Sequence, residues 1–274
     1  RAGAATPIGT DAIRNRGVEV VVAGKRYGKG SSREHSPAAE KLAGVRLVIA
    51  ESFERIYRQN ADNIGLFTST DFGLLERIER GEAIPVEELL RDRDPLAAAI
   101  LRSGGLLKFG QQHLQDATPA SALAERAMTL YEKIVRRHLL TTPVTPADPR
   151  PGDGCFLRAD WRFIHEYYTG MAAHLLDGAF GARFEVRDPA SVVVFEDHTS
   201  YVEESPAHLK AGLVPNMRAM QQAQRDFVQR HALRSHRTLT DQEAAGDDGS
   251  NVAGISHAMM AEHYALPGQL VTGT

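Results

Sequence analysis

The chain has 274 residues, of which 42% are hydrophobic and 24% are charged, the usual mixture of a globular protein with room for two domains. This composition excludes collagen-like, low-complexity and wholly disordered chains. A formal net charge of -3 gives no bulk attraction to nucleic acid or to an anionic membrane, and no apolar stretch reaches the roughly 18 to 20 residues that span a bilayer. We therefore expect that the protein binds neither nucleic acid nor a membrane. A single cysteine, Cys155, and the lack of a signal-peptide pattern predict a cytoplasmic protein.

The first hundred residues alternate between strand and helix patterns, which predicts a layered α/β fold. Short β-branched runs predict strands at residues 18–23 and 45–50. Apolar spacing predicts helices that open near Ser36 and at residues 53–58. Residues 106–114 are predicted as one more strand or hairpin.

The second half continues the alternation after a polar segment with one proline. We interpret residues 115–125 as a linker between a domain at 1–114 and another at 126–274. The patterns beyond residue 115 predict helices at 122–140, 165–180, 217–231 and 254–262, strands at 154–160 and 192–197, and an acidic loop at 238–251. The first residue is Arg1 and residues 270–274 look like an interrupted strand, so we expect a fragment of a longer protein.

Residues 27–35 (YGKGSSREH) form the most unusual loop in the chain. Its glycines permit tight backbone geometry, and Ser31, Ser32 and Arg33 stand just before a predicted helix N-terminus. Backbone N–H groups, the helix dipole and a forked guanidinium all favour a bound carboxylate or phosphate. The loop matches no nucleotide-binding motif. A capped turn with a surface arginine is the alternative interpretation.

Three blocks at 30–35 (GSSREH), 50–56 (AESFERI) and 60–66 (NADNIGL) together resemble the swivelling domain of the aconitase and isopropylmalate dehydratase superfamily. The resemblance implies that Ser31 is the base that removes the substrate Cα proton. It also implies that Ser32 and Arg33 bind substrate oxygens, with Arg33 pairing with a carboxylate. A serine of ordinary pKa is a poor base and needs a positive potential around it to act in this way.

Residues 126–274 resemble the beginning of the large, cluster-bearing part of the same superfamily, through 165–166 (HE), 194–198 (VFEDH) and 254–257 (GISH). The resemblance implies that Asp197 and His198 help to protonate the departing hydroxyl. It places His257 among the catalytic residues and His165 among those that bind substrate. A carboxylate that holds an imidazole raises the histidine pKa and fixes its tautomer. Taken singly, these residues fit a turn, a helix cap or core histidines equally well.

The resemblance implies a layered β/α swivelling domain followed by a partial three-layer α/β/α domain. It implies a hydro-lyase that reversibly dehydrates a hydroxy di- or tricarboxylic acid, most similar to the isopropylmalate dehydratase branch. Aconitate, homoaconitate and methylaconitate stay open as substrates. An RNA-binding module without a cluster and an inactive remnant stay open as functions of another class.

The superfamily uses a [4Fe-4S] cluster held by three cysteines, and Cys155 matches none of them. We therefore expect no metal ligand in this chain, and we expect the cluster cysteines to lie in a further part of the protein. The implied partners are a small hydroxy-carboxylic acid substrate and the remainder of the large domain. The 274 residues alone are expected to be inactive.

Overall fold

A computed structural model describes residues 9–30, 34–114, 117–120, 126–200, 207, 211–212, 216–246 and 253–273. The chain divides into two compact units. The first comprises Arg1–Pro119 and Leu140–Phe156, and the second comprises Ala120–Leu139 and Leu157–Thr274. The assignment of residues 1–114 and 126–274 to two family domains stays a prediction.

Both units combine short strands with helices. The strands, in chain order, are β1 (Val20–Ala23), β2 (Leu47–Ala50), β3 (Phe67–Ser69), β4 (Thr118–Pro119), β5 (Leu139–Thr141), β6 (Phe156–Leu157), β7 (Trp161–His165), β8 (Val192–Phe195), β9 (Arg234–His236) and β10 (Val271–Gly273). The helices are α1 (Ala12–Asn15), α2 (His35–Leu42), α3 (Arg55–Ile64), α4 (Gly73–Glu79), α5 (Val86–Leu89), α6 (Pro95–Arg102), α7 (Leu106–His113), α8 (Leu130–His138), α9 (Glu166–Phe180), α10 (Met217–His231), α11 (Asp241–Ala244) and α12 (Ser256–Met259). A 3-10 turn at Pro189–Ser191 precedes β8, and a π-helical turn at Met260–Tyr264 continues α12.

The first unit is built on a parallel sheet in the order β1-β2-β3. All four residues of the central strand β2 are buried. Val48 packs in one core with Tyr57 of α3, and Leu47 and Ile49 pack in another with Leu74 of α4. Alternate residues of β2 therefore enter opposite cores, as in a parallel sheet covered on both faces.

The second unit is built on a four-stranded parallel sheet in the order β10-β7-β8-β9. The central strand β8 again alternates between two cores. Val193 and Phe195 pack with Met260 of the π-helical turn, and Val194 packs with Phe227 of α10.

Strands β4, β5 and β6 form a small third sheet. The α/β class predicted from the alternating patterns is confirmed, and the structure shows that the two larger sheets are parallel.

Three predicted elements differ from the structure. Residues 106–114, expected to be a strand or hairpin, form helix α7, with Phe109 fully buried one turn after Leu106. The helix predicted at 122–140 is only α8 in the described residues, and it starts where Thr129 and Glu132 form a capping box. The strand expected at 154–160 is the short β6, and the longer strand β7 follows it.

The acidic segment 238–251 was predicted as a loop, and the structure places the short helix α11 in it. None of the described helices combines the length and apolar composition that a membrane crossing needs.

Candidate functional site

The loop after β1 is anchored to the segment after β2. The backbone N–H of Tyr27 donates to the Ser52 carbonyl at 2.9 Å, and the Glu54 N–H donates to the Tyr27 carbonyl at 2.8 Å. The Arg26 N–H donates to Ser52 Oγ at 2.9 Å, and Arg26 Nε donates to Glu54 Oε1 at 2.7 Å. Since these segments follow parallel strands, the start of the loop lies at the carboxyl edge of the sheet, where α/β proteins commonly bind ligands.

Gly28 has a backbone conformation that this anchoring requires. Its φ is +84°, and a Cβ added there would overlap the Tyr57 ring. Only glycine permits both features without strain. Ser31, Ser32 and Arg33 lie outside the described residues, so their predicted roles as base and substrate ligands stay predictions.

The other predicted site residues meet at the carboxyl edge of the second sheet. Strands β7 and β8 are parallel, with His165 opposite Phe195, so the residues that follow each strand emerge side by side. The His165 and His198 rings lie 4.3 Å apart between centroids. The structure therefore brings His165, Asp197 and His198 into one neighbourhood.

Ser256 holds the carboxylate of Asp197. Asp197 Oδ2 accepts hydrogen bonds from Ser256 Oγ at 2.6 Å and from Ser256 N at 3.0 Å. Burial raises the pKa of the Asp197 carboxyl, but these two hydrogen bonds and the nearby charges of His198 and His165 outweigh it, so the pKa lies below its usual value. Asp197 is therefore an anion at neutral pH.

The expected pairing, in which an imidazole N–H of His198 donates to the Asp197 carboxylate, is not what this part of the structure shows. Asp197 Oδ2 is engaged by Ser256, and His198 Nδ1 is buried with no hydrogen-bond partner in the described chain. His198 instead lowers the pKa of Asp197 through its charge. The tautomer of His198 is therefore not fixed by Asp197.

Glu166, the first residue of α9, is a buried carboxylate next to this histidine pair. It is 1% exposed, and its Oε2 accepts the Asp197 N–H at 3.0 Å. Its Oε1 is buried and has no hydrogen-bond partner among the described residues. The ligand atoms of His165, Glu166 and His198 all lie within 4.8 Å of one another. Two imidazoles and a carboxylate form a donor set that zinc and non-haem iron accept, so this group could hold a metal ion.

The neighbouring Glu196 serves as a scaffold. It is 1% exposed, accepts a hydrogen bond from Arg225 Nε at 2.8 Å and accepts the Thr238 N–H at 2.8 Å. These contacts tie the residue before Asp197 to α10 and to the end of β9. The direction in which Asp197 and His198 leave β8 is thereby defined.

His257 lies at the rim of this neighbourhood and is exposed. Its ring stands edge-on to Phe163 at 5.0 Å between centroids, and its Nδ1 is 3.4 Å from Ser256 Oγ. Among the described residues, Ser256 Oγ connects His257 Nδ1 to the Asp197 carboxylate. Sequence reasoning did not assign roles to Ser256 or Glu166. Each lies directly beside a histidine that was predicted as a site residue, Glu166 beside His165 and Ser256 beside His257, and this position could have indicated a role.

The residues of this chain do not fit a [4Fe-4S] cluster. Such a cluster needs several thiolates, whereas Cys155 is the one cysteine of the chain. Cys155 is half-buried, and both its burial and the charge of Asp153 raise the pKa of its thiol, which disfavours the thiolate that binds iron.

The family-model match lies within the first unit. Residues 10–70 match the family model described as Aconitase C-terminal domain. The 3-isopropylmalate dehydratase small subunit of Halothermothrix orenii is 52% identical over 69 residues, which are 25% of this chain and 42% of that protein. The corresponding small subunit of a Hydrogenobaculum species is 36% identical over a 112-residue alignment that covers 36% of this chain and 68% of that protein.

A crystal structure of 3-isopropylmalate dehydratase from Methanocaldococcus jannaschii is 32% identical, with a TM-score of 0.27, over 34% of this chain and 63% of that one. The chain thus spans less than half of the first curated relative and about two thirds of the second. The resemblance of residues 126–274 to the large part stays a prediction. With a relative at 36% identity matched over 68% of its length, the chain belongs to the aconitase and isopropylmalate dehydratase superfamily.

Proposed function

We propose that the protein containing this chain is a hydro-lyase that reversibly dehydrates and rehydrates a hydroxy dicarboxylic acid of the 3-isopropylmalate type. The strongest support is the composition and position of the 27–35 loop. The loop lies within the matched residues 10–70 and has the residue types that bind a carboxylate substrate. The names of the relatives, 3-isopropylmalate dehydratase small subunits, favour isopropylmalate over aconitate and its homologues.

In this proposal the loop removes the proton and binds the acid. The Ser31 alkoxide takes the proton from the substrate Cα, and the electron pair of that bond forms the new carbon–carbon double bond. Ser32 and Arg33 bind substrate oxygens, with the guanidinium fork matched to a carboxylate. The position of the loop before the N-terminus of α2 supports this assignment, since helix dipole and guanidinium together supply the positive potential that the base needs.

The second unit would complete the reaction by protonating the leaving group. Asp197 and His198 help to transfer a proton to the departing hydroxyl, which leaves as water when the carbon–oxygen bond breaks. His165 would bind substrate and His257 would assist at the rim. Support comes from the 4.3 Å separation of the His165 and His198 rings and from the lowered pKa of Asp197, which keeps a carboxylate beside them.

The proposal includes parts that lie outside these residues. The [4Fe-4S] cluster would supply a Lewis acid for the hydroxyl, held by cysteines of a large-subunit or large-domain partner. The relatives are named small subunits, which supports such a partner. A cytoplasmic location stays a prediction.

The test is turnover of the full-length protein, purified anaerobically. Dehydration of 3-isopropylmalate should be measured by the ultraviolet absorption of the unsaturated acid, beside citrate and homocitrate as competing substrates. We expect the highest kcat/KM with 3-isopropylmalate. Ser31→Ala should lower kcat by several powers of ten with KM nearly unchanged, whereas Ser103→Ala, a serine at the end of α6, should leave both unchanged. Preference for citrate, or normal turnover of Ser31→Ala, would contradict the proposal.

A further inference from the structure

A single carboxylate joins the two described ends of the 28–34 loop. Glu40 lies on α2, the helix that begins directly after the loop at His35. Its Oε1 accepts a hydrogen bond from the hydroxyl of Tyr27, the residue directly before the loop, at 2.6 Å. Its Oε2 accepts a hydrogen bond from the hydroxyl of Tyr57 on α3. One side chain therefore links the strand side of the loop, the helix side of the loop and a third element.

Aromatic packing holds the two tyrosines in place. The Tyr27 and Tyr57 rings lie 5.2 Å apart at 90°, and Phe53 stacks on Tyr57 at 6.1 Å with an interplanar angle of 6°. Tyr57 is 4% exposed. Gly28, the first loop residue, lies so close to Tyr57 that a Cβ there would overlap the ring. The packed aromatic rings therefore hold both tyrosine hydroxyls in position to contact Glu40.

The protonation states of the three groups favour the hydrogen bonds from Tyr27 and Tyr57 to Glu40. Burial and the neighbouring Glu40 both raise the pKa of the Tyr27 and Tyr57 phenols, so both hydroxyls keep their protons and donate. A carboxylate accepts two such bonds at once, one on each oxygen, whereas an amide at the same place has only one acceptor oxygen. Hydrogen bonds to a charged acceptor are the stronger kind.

We propose that Glu40, clamped by Tyr27 and Tyr57, is a positioning residue that fixes the two described ends of the 28–34 loop together with the flanking residues Tyr27 and His35. The effect of Glu40 on turnover rests on the proposed function. That function assigns the base and the carboxylate ligand to loop residues, and Glu40 acts on turnover through them. Its effect on the loop ends does not rest on that function. Glu40 contacts no substrate in this role.

Hydrogen–deuterium exchange of the 274-residue chain tests the clamp without any activity. Glu40→Gln and Tyr27→Phe should each speed exchange of the backbone amides at 27–30 and 34–35 by about tenfold, the loss expected for one charge-assisted hydrogen bond. Glu76→Gln, at an exposed glutamate of α4, is the matched control and should change nothing at the loop. Val48→Ala, in the same core as Tyr57, controls for loss of stability alone. Unchanged loop exchange in both clamp variants, or equal acceleration in Val48→Ala, would overturn the proposal.

The catalytic consequence is measured separately in the full-length enzyme. Glu40→Gln should lower kcat about tenfold, and adding Tyr27→Phe to it should cost little more, since both changes break the same link. Full additivity of the two changes, or normal kcat in Glu40→Gln, would remove the role in turnover. If wild-type protein turns over no hydroxy acid, the proposed function fails while the exchange result still decides the clamp.

Discussion

Replacing Ser256 by alanine tests the contact that defines the Asp197 anion. The Ser256 hydroxyl donates to Asp197 Oδ2 at 2.6 Å, and Ser256 is fully buried. Alanine removes this bond and keeps the 3.0 Å bond from the backbone N–H. A hydrogen bond to a charged group contributes about 1.5–3 kcal/mol. Because Asp197 is only partly buried and water screens its charge, we expect Ser256→Ala to lower the free energy of unfolding by about 1–2 kcal/mol at pH 7.

The loss should depend on pH with a defined sign. The pKa of Asp197 is lowered in the folded protein, so its contribution to stability is present above the unfolded-state pKa, about 4, and is lost as the pH falls through the folded-state pKa. Without the Ser256 hydroxyl the folded-state pKa moves up towards the ordinary value. The difference in stability between wild type and variant should therefore be largest near neutral pH and should shrink below about pH 4.

Denaturant unfolding at several pH values measures this difference. Trp161, the one tryptophan of the chain, lies on β7 of the same unit and reports its unfolding by fluorescence. An NMR titration of the Asp197 carboxyl should show a higher pKa in Ser256→Ala. Ser103→Ala, which removes a serine hydroxyl in the first unit, is the control. Equal stability at pH 7, or an unchanged carboxyl titration, would refute the reasoning.

Three further predictions follow from contacts in the first unit and from the cysteine count. Arg93→Met should destabilise the chain by about 3–5 kcal/mol, because the Arg93 side chain is 3% exposed and Asp62, which it binds through two 3.0 Å bonds, would be left buried and unpaired. Gly28→Ala should be more destabilising than Gly81→Ala in thermal melts, since both glycines have positive φ but only a Cβ at Gly28 meets a side chain. Anaerobic treatment with iron and sulfide should leave the 274-residue chain without the visible absorption of a [4Fe-4S] cluster, because Cys155 is its one cysteine.

The two substitutions have matched controls, and all three predictions have a contrary outcome. Arg80→Met, at an exposed arginine of the same unit, should change the free energy of unfolding little, and a similar loss for both arginines would contradict the buried-pair argument. Equal melting shifts for the two glycine variants would mean that the ring contact at Gly28 carries no cost. About four irons bound per chain would show that ligands other than cysteines complete the cluster site.

Local patterns were sufficient where an element is long or strongly β-branched. The helix predicted at residues 217–231 is α10 at the same residues, although Gln221 and Gln224 are buried on it beside Met217 and Phe227. Residues 192–197 and 45–50 were recognised as strands because a run of β-branched side chains fits a doubly covered parallel sheet. The superfamily was also predicted from the sequence, because three blocks at 30–35, 50–56 and 60–66 occur together in the family order.

Short apolar runs were ambiguous. Residues 106–114 have the apolar content of a strand, but Gly104 and Gly105, both with positive φ, turn the chain and start a helix whose Phe109 enters a separate core. Strand β7 mixes Arg162 with aromatic residues and has no clean alternation. It becomes a strand because β8 and β10 pair with it on either side.

The contacts that shape the candidate site were decided by the tertiary structure alone. Ser256 meets Asp197 across 59 residues, and Glu40 meets Tyr27 and Tyr57 from another helix. The sequence by itself determined which residue types were available for acid–base chemistry. It also determined the superfamily to which the chain belongs. Which carboxylate is held by which hydroxyl depends on how parallel strands align their carboxyl ends, and hydrogen bonds between distant residues leave no periodic signal along the chain.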